Sequence, residues 1–404
     1  MRVTMLLRNL FVRDARVLRE ARELARAGHE VTVVALHAGD LPVEEVRDGV
    51  RIRRAVTAGR LAGPTILGAA GNAPTADPAT PSKARRRPPA AVWLRDVMLE
   101  RGMTRAALAT PADVYHAHDL TTLTPALRAA RSNGARVVYD AHELYTELSG
   151  LGAGERKRWA RVERGLIGRA DAVIVPSPSR GEALVDRYGI APPAVVMNCP
   201  PRGPLPDPAA GPLARVRRDG ELLLVYAGGF IAGRGLENLV AATRMLRKTR
   251  LVMLGWGPLE AELRAVVARS DMTERVTFLG AVDPDDVIAV AAGGDVGLAP
   301  YLPVGLNNVL AAPNKLYEYL HAGLAVAASD LPDIRRIVED NDVGELFEAA
   351  DPSSIAAAVR RATAFPDRLR RLRENAAAAA GLFTWEAQAQ VLLEVYERLA
   401  VPAR

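Results

Sequence analysis

An alternation of short aliphatic segments and amphipathic segments, which runs twice along this chain of 404 residues, constrains the fold more than any other feature. In the first half, residues 14–27 carry apolar side chains at helical spacing and end at Gly28. The predicted strands of the first half are residues 2–7, 30–36, 113–116, 136–139 and 172–176. Those of the second half are residues 222–226, 250–254, 276–279, 296–299 and 325–328. Repeated strand–helix units predict parallel sheets with helices on both faces, so we expect an α/β protein with two doubly wound domains.

A proline-rich segment separates the two alternations and predicts an extended linker over residues 199–219. We therefore divide the chain into an N-terminal domain of residues 1–198, this linker, a C-terminal domain of residues 220–384, and a last helix, residues 385–404, that packs back on the N-terminal domain. Residues 57–91 are rich in Ala, Gly, Pro and Thr, which predicts a long mobile loop. Ligands of doubly wound sheets bind at the carboxyl ends of the strands, so we expect the site in a cleft between two facing domains.

Composition excludes several classes of protein. The single cysteine, Cys199, allows neither an intrachain disulfide nor a thiolate metal cluster. No run of about 18 apolar residues is long enough to span a membrane. Residues 1–7 are too short for the core of a signal peptide. The expectation is a cytoplasmic protein, and the sequence leaves its oligomeric state open.

The charge of the chain is uneven. Residues 1–200 hold 30 Lys and Arg against 21 Asp and Glu, which gives +9, whereas residues 201–404 hold 23 against 26, which gives −3. Nucleic acid is not the expected partner, because the arginines are scattered and only 5% of the residues are aromatic. The basic half carries the Arg85–Arg87 run in its loop. This charge leaves two partners open: a phosphorylated acceptor, or peripheral contact with the anionic inner face of a membrane.

A glycine-rich turn follows the first strand of the second half. In residues 226–235, YAGGFIAGRG, Gly228 and Gly229 allow the backbone to approach a ligand, and a helix is predicted to open at Gly235. Arg234 supplies a fixed positive charge of the kind that binds a diphosphate. This pattern favours an anion site, although tight turns need glycine in any case.

A second anion site is predicted at the start of a later helix. Pro313 suits the first helical turn, and Asn314 and Lys315 follow it directly. One turn further, Glu318 can accept two hydrogen bonds from the vicinal hydroxyls of a ribose. An anion site beside a diol acceptor is the arrangement that a nucleotide requires.

Histidines follow two strands of the first half. His116 and His118 are two residues apart and are therefore predicted to point to the same face of their strand. His142 follows the next strand, two residues after Asp140. Their spacing does not match a zinc pattern, so no metal is expected. The acidic run at residues 283–286 is interpreted as the start of a helix at Val287.

The order of these motifs resembles glycosyltransferase family 4 over nearly the whole chain. The segments that carry the resemblance are GHEV at 28–31, HAHD at 116–119, GGFIAGRG at 228–235, LGWGP at 254–258, FLG at 278–280 and NKLYEYLHAG at 314–323. The resemblance implies the GT-B fold, in which two Rossmann-like domains face each other. It also implies retaining transfer of a sugar from a UDP- or GDP-linked donor to a hydroxyl of a glycan, lipid or small metabolite, with no cofactor or metal.

The resemblance also assigns roles to particular residues. His118 and Arg234 are the implied catalytic residues. The implied donor-binding residues are Gly228, Gly229, Arg234, Gly257, Val282, Asn314, Lys315, Leu316 and Glu318. The implied residues of the acceptor or sugar side are Asn9, Arg13, Asp14, His142, Asn307 and Asn308.

The chain departs from the family pattern at three places. Gly229 stands where the family has an arginine that binds the diphosphate, and Leu310 stands where it has a glutamate that contacts the sugar, so Asn307 or Asn308 is expected to substitute. Residues 9–14 replace the usual Gly-Gly turn after the first strand. These departures keep two alternatives open: a nucleotide-sugar epimerase of the same fold, and a GT-B subunit without catalytic activity.

Overall fold

The computed structural model describes residues 1–12, 14–57 and 89–400, and the chain divides into two compact units. Unit 1 contains Met1–Pro176, Arg180–Val196 and the chain from Ala389, and unit 2 contains Ser177–Ser179 and Met197–Gln388. The segment predicted as a linker, residues 199–219, lies in unit 2, where Leu213 is fully buried. Arg13 and residues 58–88, which include most of the predicted loop and the Arg85–Arg87 run, lie outside the described residues.

The sheet of unit 1 is parallel except at one edge. Its strands are β1 Arg2–Leu6, β2 Glu30–His37, β3 Glu44–Arg47, β4 Val50–Thr57, β5 Val114–His118, β6 Arg136–Asp140, β7 Ala172–Val175 and β8 Ala194–Val195. They lie in the order β3-β4-β2-β1-β5-β6-β7-β8, and only β3 pairs antiparallel, with β4. Val3 of β1 is paired with Val31 on one side and with Val114 on the other. The order of the strands reverses between β1 and β5, which is where a doubly wound sheet opens a ligand site.

The sheet of unit 2 is parallel throughout. Its strands are β9 Leu222–Ala227, β10 Thr249–Leu254, β11 Val276–Gly280, β12 Val296–Ala299, β13 Ala325–Ser329 and β14 Gly344–Phe347. They lie in the order β11-β10-β9-β12-β13-β14, so this sheet reverses between β9 and β12. Along β9, Leu223 and Val225 belong to one hydrophobic layer and Leu224 and Tyr226 to the other. Burial on both faces explains why β9 is apolar along its whole length.

Helices cover the two sheets. They are α1 Ala15–Arg26, α2 Pro89–Leu108, α3 Leu120–Asn133, α4 Ala153–Leu166, α5 Pro178–Tyr188, α6 Leu236–Arg244, α7 Glu260–Arg269, α8 Val287–Ala291, α9 Leu306–Val309, α10 Asn314–His321, α11 Pro332–Asp340, α12 Pro352–Ala362, α13 Pro366–Ala380 and α14 Trp385–Ala400. Asp14 caps α1 by accepting a hydrogen bond from the N–H of Val17. Gly134 ends α3 in the left-handed conformation. From Ala389 onward, α14 belongs to unit 1.

The ten strands predicted from the sequence are present, each within two residues of its expected ends. Four strands were not predicted, namely β3, β4, β8 and β14. In β4 the residues on the buried side are Val50, Ile52 and Arg54, and the guanidinium of Arg54 forms an ion pair with Glu45. An arginine at an inward position breaks the apolar alternation that identifies a strand. Helix α2 begins at Pro89, two residues before the end of the predicted loop.

Candidate active site

The glycine-rich turn of unit 2 holds Lys315 against the backbone. Gly228 follows β9 with a φ of +143°, and a Cβ at this position would lie 2.9 Å from Nζ of Lys315. The hydroxyl of Tyr226 donates to the carbonyl of Gly229 at 2.9 Å and closes the turn. Because Gly228 has no side chain, the ammonium group lies directly on the turn.

A second turn supports the first one. A Cβ at Gly255 would lie 2.0 Å from the carbonyl oxygen of Gly228, and a Cβ at Gly257 would lie 2.5 Å from that of Phe230. The N–H of Phe230 donates to the carbonyl of Trp256 at 2.9 Å. The two turns therefore pack backbone against backbone, which fixes the height of residues 228–230 above the sheet.

Two cations share an aromatic ring at this point. The Nζ atom of Lys315 lies 4.1 Å from the centre of the Tyr226 ring and 5.2 Å from that of Tyr301. The guanidinium carbon of Arg234 lies 4.1 Å from the centre of the Tyr301 ring. Burial and the positive charge of Arg234 hold the pKa of Lys315 well below its ordinary value. Within the described residues neither cation forms an ion pair, so the site has positive charge to offer to an anion.

Helix α10 provides the other donor-side residues. Asn314, its first residue, is exposed, whereas Lys315 and Leu316 are buried. The N–H of Leu316 donates to the carbonyl of Pro313 at 3.0 Å, so this backbone group already has an acceptor. Glu318 lies one turn further, half-buried, and its charge raises the pKa of Lys315. Val282, after β11, packs at the edge of the hydrophobic core of unit 2.

Asn308 connects the glycine-rich turn to Arg234. Its Nδ2 donates to the carbonyls of Leu302 at 3.0 Å and of Gly233 at 3.2 Å, and its Oδ1 accepts from Arg234 at 3.4 Å. These three hydrogen bonds, all with residues of unit 2, occupy both the nitrogen and the oxygen of the Asn308 carboxamide. Asn307 is half-buried in α9, and the side chain of Leu310 is buried.

In unit 1, the turn after β1 is held by its own polar side chains. The Nδ2 of Asn9 donates to Asp14 at 2.9 Å, and its Oδ1 accepts from the N–H of Phe11 at 2.8 Å. Phe11 has a φ of +49°, so these bonds stabilise a strained backbone. Asn9 and Asp14 thus shape the loop between β1 and α1, and their contact with an acceptor stays a prediction.

The histidines lie together at the carboxyl ends of β5 and β6. The rings of His116 and His118 are stacked with their centres 4.3 Å apart. Nε2 of His142 lies 3.0 Å from Nδ1 of His118 and 3.1 Å from Oδ2 of Asp140. The hydroxyl of Tyr396, from α14, is 2.8 Å from Nδ1 of His116. All of these groups except His142 are at least nine-tenths buried.

Arg16 provides the positive charge of this cluster. Its guanidinium forms hydrogen bonds to both carboxylate oxygens of Asp140, at 3.0 Å for the shortest, and lies 3.1 Å from Glu20. Burial disfavours the charged form of Asp140. The positive charges of Arg16 and His142 nevertheless hold the pKa of Asp140 well below its ordinary value. Burial raises the pKa of Glu20 to about 8, so its carboxyl group is largely protonated at neutral pH. Potential ligand atoms of Glu20, His116, His118 and Asp140 lie within 4.8 Å of one another, but Arg16 already neutralises this group, and the absence of a metal stays a prediction.

Sequence reasoning identified the histidines but missed Arg16, Glu20 and Tyr396. One signal was available for the first two. Arg16 and Glu20 are four residues apart on the same face of α1 as Val17, Ala21 and Leu24, which are fully buried. A charged pair on the apolar face of a helix indicates a buried partner.

Comparison with known proteins assigns both units. A family model described as Glycosyltransferase Family 4 matches residues 15–200, and one described as Glycosyl transferases group 1 matches residues 221–364. A D-inositol 3-phosphate glycosyltransferase of Nocardia farcinica is 27% identical over 94% of this chain and 83% of its own length. The chain belongs to glycosyltransferase family 4.

Solved structures agree with the fold of this glycosyltransferase. Sucrose-phosphate synthase from Thermosynechococcus elongatus, at 20% identity, superposes with a TM-score of 0.77 over the whole of both chains. HepE of Anabaena, in complex with UDP, has 15% identity and a TM-score of 0.71 over 98% of this chain and 100% of its own. The chain thus has the Rossmann-like domains of the GT-B fold. Among its described residues, no helix is both long and apolar enough to cross a lipid bilayer.

Proposed function

We propose that this glycosyltransferase moves a sugar from a nucleoside diphosphate donor, UDP- or GDP-linked, to a hydroxyl acceptor with retention at the anomeric carbon. One observation supports the proposal most strongly: Lys315 and Arg234 approach the ring of Tyr301 together, beside a glycine that leaves the backbone open. Neither cation forms an ion pair with another described residue, and two such charges suit the two charges of a diphosphate.

The donor is assigned to unit 2 at the point where its sheet reverses. The diphosphate lies by Lys315 and Arg234, and the ribose hydroxyls donate to Glu318, one helical turn after Lys315. HepE, which shares the fold, was solved in complex with UDP, and this is consistent with a uridine donor. The sugar itself is not assigned, because Leu310 offers it no polar group.

The reaction requires two bonds to change on one face of the sugar. The bond between the anomeric carbon and the diphosphate oxygen breaks, the acceptor oxygen bonds to the same face, and its proton passes to the departing phosphate oxygen. Negative charge grows on the diphosphate as the bond breaks, so Arg234 and Lys315 stabilise the transition state more than the ground state. We assign His118 of unit 1 to a hydroxyl of the sugar or the acceptor.

The acceptor is proposed to be a polyol hydroxyl, in a molecule that carries a phosphate. The relative from Nocardia farcinica is named for D-inositol 3-phosphate, and the first 200 residues of this chain carry a charge of +9. A basic domain attracts an anionic acceptor and raises its rate of association.

A donor panel tests the proposal. UDP- and GDP-linked hexoses, each with inositol 3-phosphate, inositol or no acceptor, are incubated with the full chain, and the anomeric configuration of the product is determined by proton NMR. We expect one donor to raise the thermal unfolding temperature and to give an α-linked product from an α-linked donor. A β-linked product contradicts retention, epimerised donor without acceptor supports the epimerase, and nucleotide binding without any turnover supports a subunit without catalytic activity.

A further inference from the structure

The hydrogen atom on Nε2 of His142 has two acceptors within reach. This nitrogen lies 3.1 Å from Oδ2 of Asp140 and 3.0 Å from Nδ1 of His118. Asp140 is fully buried and accepts three further hydrogen bonds from Arg16, so its carboxylate acts only as an acceptor. A lone pair on Nε2 of His142 would face that carboxylate, and two acceptors at this distance repel each other. Nε2 of His142 therefore carries a hydrogen.

The position of this hydrogen determines the tautomer of His118. Nδ1 of His118 lies 3.0 Å from this N–H group and 3.5 Å from Oδ2 of Asp140, and two N–H groups at the shorter distance repel each other, so the lone pair is assigned to Nδ1. A neutral imidazole with a lone pair on Nδ1 has its hydrogen on Nε2. Burial lowers the pKa of His118, which keeps the ring neutral at pH 7.

The charge of His142 strengthens the same arrangement. Burial lowers the pKa of His142, but the negative charges of Asp140 and Asp119 raise it more, to about 10. Nδ1 of His142 lies 3.9 Å from the carboxylate of Asp119, so each nitrogen of the ring faces an acid. An imidazolium has an N–H group at both positions, so the hydrogen on Nε2 is kept, with Nδ1 of His118 and Oδ2 of Asp140 both within reach.

We propose that His142 is a positioning residue that holds His118 in the tautomer protonated at Nε2, so that His118 presents an N–H donor to an oxygen atom of the substrate. The contact between His118 and a substrate oxygen rests on the proposed function, whereas the tautomer does not. Nε2 of His118 is buried and has no hydrogen-bond partner among the described residues. A buried N–H group without an acceptor is costly, and a hydroxyl or phosphate oxygen of a ligand removes that cost.

This assignment separates two roles for His118. An N–H donor stabilises a developing negative charge or orients a hydroxyl, but it cannot remove the proton of the acceptor. His118 therefore does not act as a general base, and this agrees with proton transfer to the departing phosphate.

The tautomer is measured directly by two-bond 1H–15N correlation NMR on the full chain labelled with 15N-histidine, at pH 7 and without ligand. The chain has six histidines, and His118→Gln identifies the signal of His118. We expect the pattern of a neutral ring protonated at Nε2. In His142→Leu we expect that pattern to be lost, because Nδ1 of His118 is then free to donate to Asp140, 3.5 Å away. His142→Gln is the matched control, since its amide nitrogen can donate in place of Nε2.

Turnover provides the second measurement. We expect His142→Leu to lower kcat about 10- to 100-fold, the range found when a hydrogen bond that fixes a metal-site histidine ring is lost. The Kd for UDP is expected to stay unchanged, and His142→Gln is expected to retain more of kcat than His142→Leu. A wild-type signal protonated at Nδ1, or a His142→Leu signal identical to wild type in a folded protein, overturns the proposal. A protein with the expected tautomer but no transferase activity overturns the proposed function alone.

Discussion

The guanidinium of Arg234 lies over the ring of Tyr301 at 4.1 Å, so an uncharged side chain orients the cation assigned to the diphosphate. Lys315 approaches the same ring at 5.2 Å. Tyr301 lies two residues after the end of β12, at the point where the sheet of unit 2 reverses. One aromatic residue thus connects both cations to the sheet.

Replacing that ring tests its role. Tyr301→Leu removes the cation–π contacts, each worth about 0.5–2 kcal/mol, and leaves both cations less well oriented. We expect kcat to fall about tenfold with a smaller change in the Kd for UDP. Tyr301→Phe keeps the ring and is expected to stay within about threefold of wild type. Equal activity of the Leu and Phe variants contradicts this role.

Glu318→Ala is expected to weaken nucleotide binding. The substitution removes the charged acceptor that we propose for the ribose hydroxyls, and such a hydrogen bond is worth about 1.5–3 kcal/mol. Isothermal titration calorimetry with UDP and with GDP measures the loss. Glu318→Gln keeps an acceptor oxygen and should lose less affinity. An unchanged Kd in the Ala variant would place the ribose elsewhere.

Gly255→Ala and Gly280→Ala form a matched pair. Both glycines have positive φ, at +137° and +76°, so alanine is strained at either position. Only at Gly255 does a Cβ meet another atom, the carbonyl oxygen of Gly228 at 2.0 Å, whereas at Gly280 nothing lies within 4 Å. We expect Gly255→Ala to lose at least about 2 kcal/mol more in free energy of unfolding than Gly280→Ala. Urea denaturation of both variants checks this, and equal losses would refute it.

Glu20 makes stability depend on pH. Its folded pKa is about 8 against an ordinary value of 4.5, so the folded chain holds this proton more tightly than the unfolded chain. The stability that Glu20 contributes is complete below about pH 4.5 and declines as the pH rises to about 8. Glu20→Gln cannot ionise, and we expect its free energy of unfolding to fall less than that of wild type over this range.

The pH experiment has its control on the same helix. Glu23→Gln changes a carboxylate that lies partly in solvent on α1, beside Arg26. Denaturation at several pH values should give this variant the slope of wild type. Parallel curves for wild type and Glu20→Gln would show that Glu20 is ionised in the folded chain.

Sequence patterns identified the strands that are apolar throughout, such as β9 and β12, because burial on both faces leaves a local signal. The prediction of an anion site at Lys315 also rests on a local signal, since proline, lysine and glutamate lie within one helix start, and it stays a prediction. The partner of Arg16 was not predictable in this way, because Asp140 is 124 residues away. Tyr396 is 280 residues from His116, and only the packing of α14 brings them together.

The burial of Lys315 has a thermodynamic consequence for the donor. A diphosphate placed beside the ammonium group raises its pKa towards the ordinary value, from which burial and Arg234 have lowered it. In the proposed donor complex, protonation of Lys315 and binding of the anion therefore favour each other. The same linkage predicts that the proposed nucleoside diphosphate product is released more easily as the pH rises towards the pKa of Lys315.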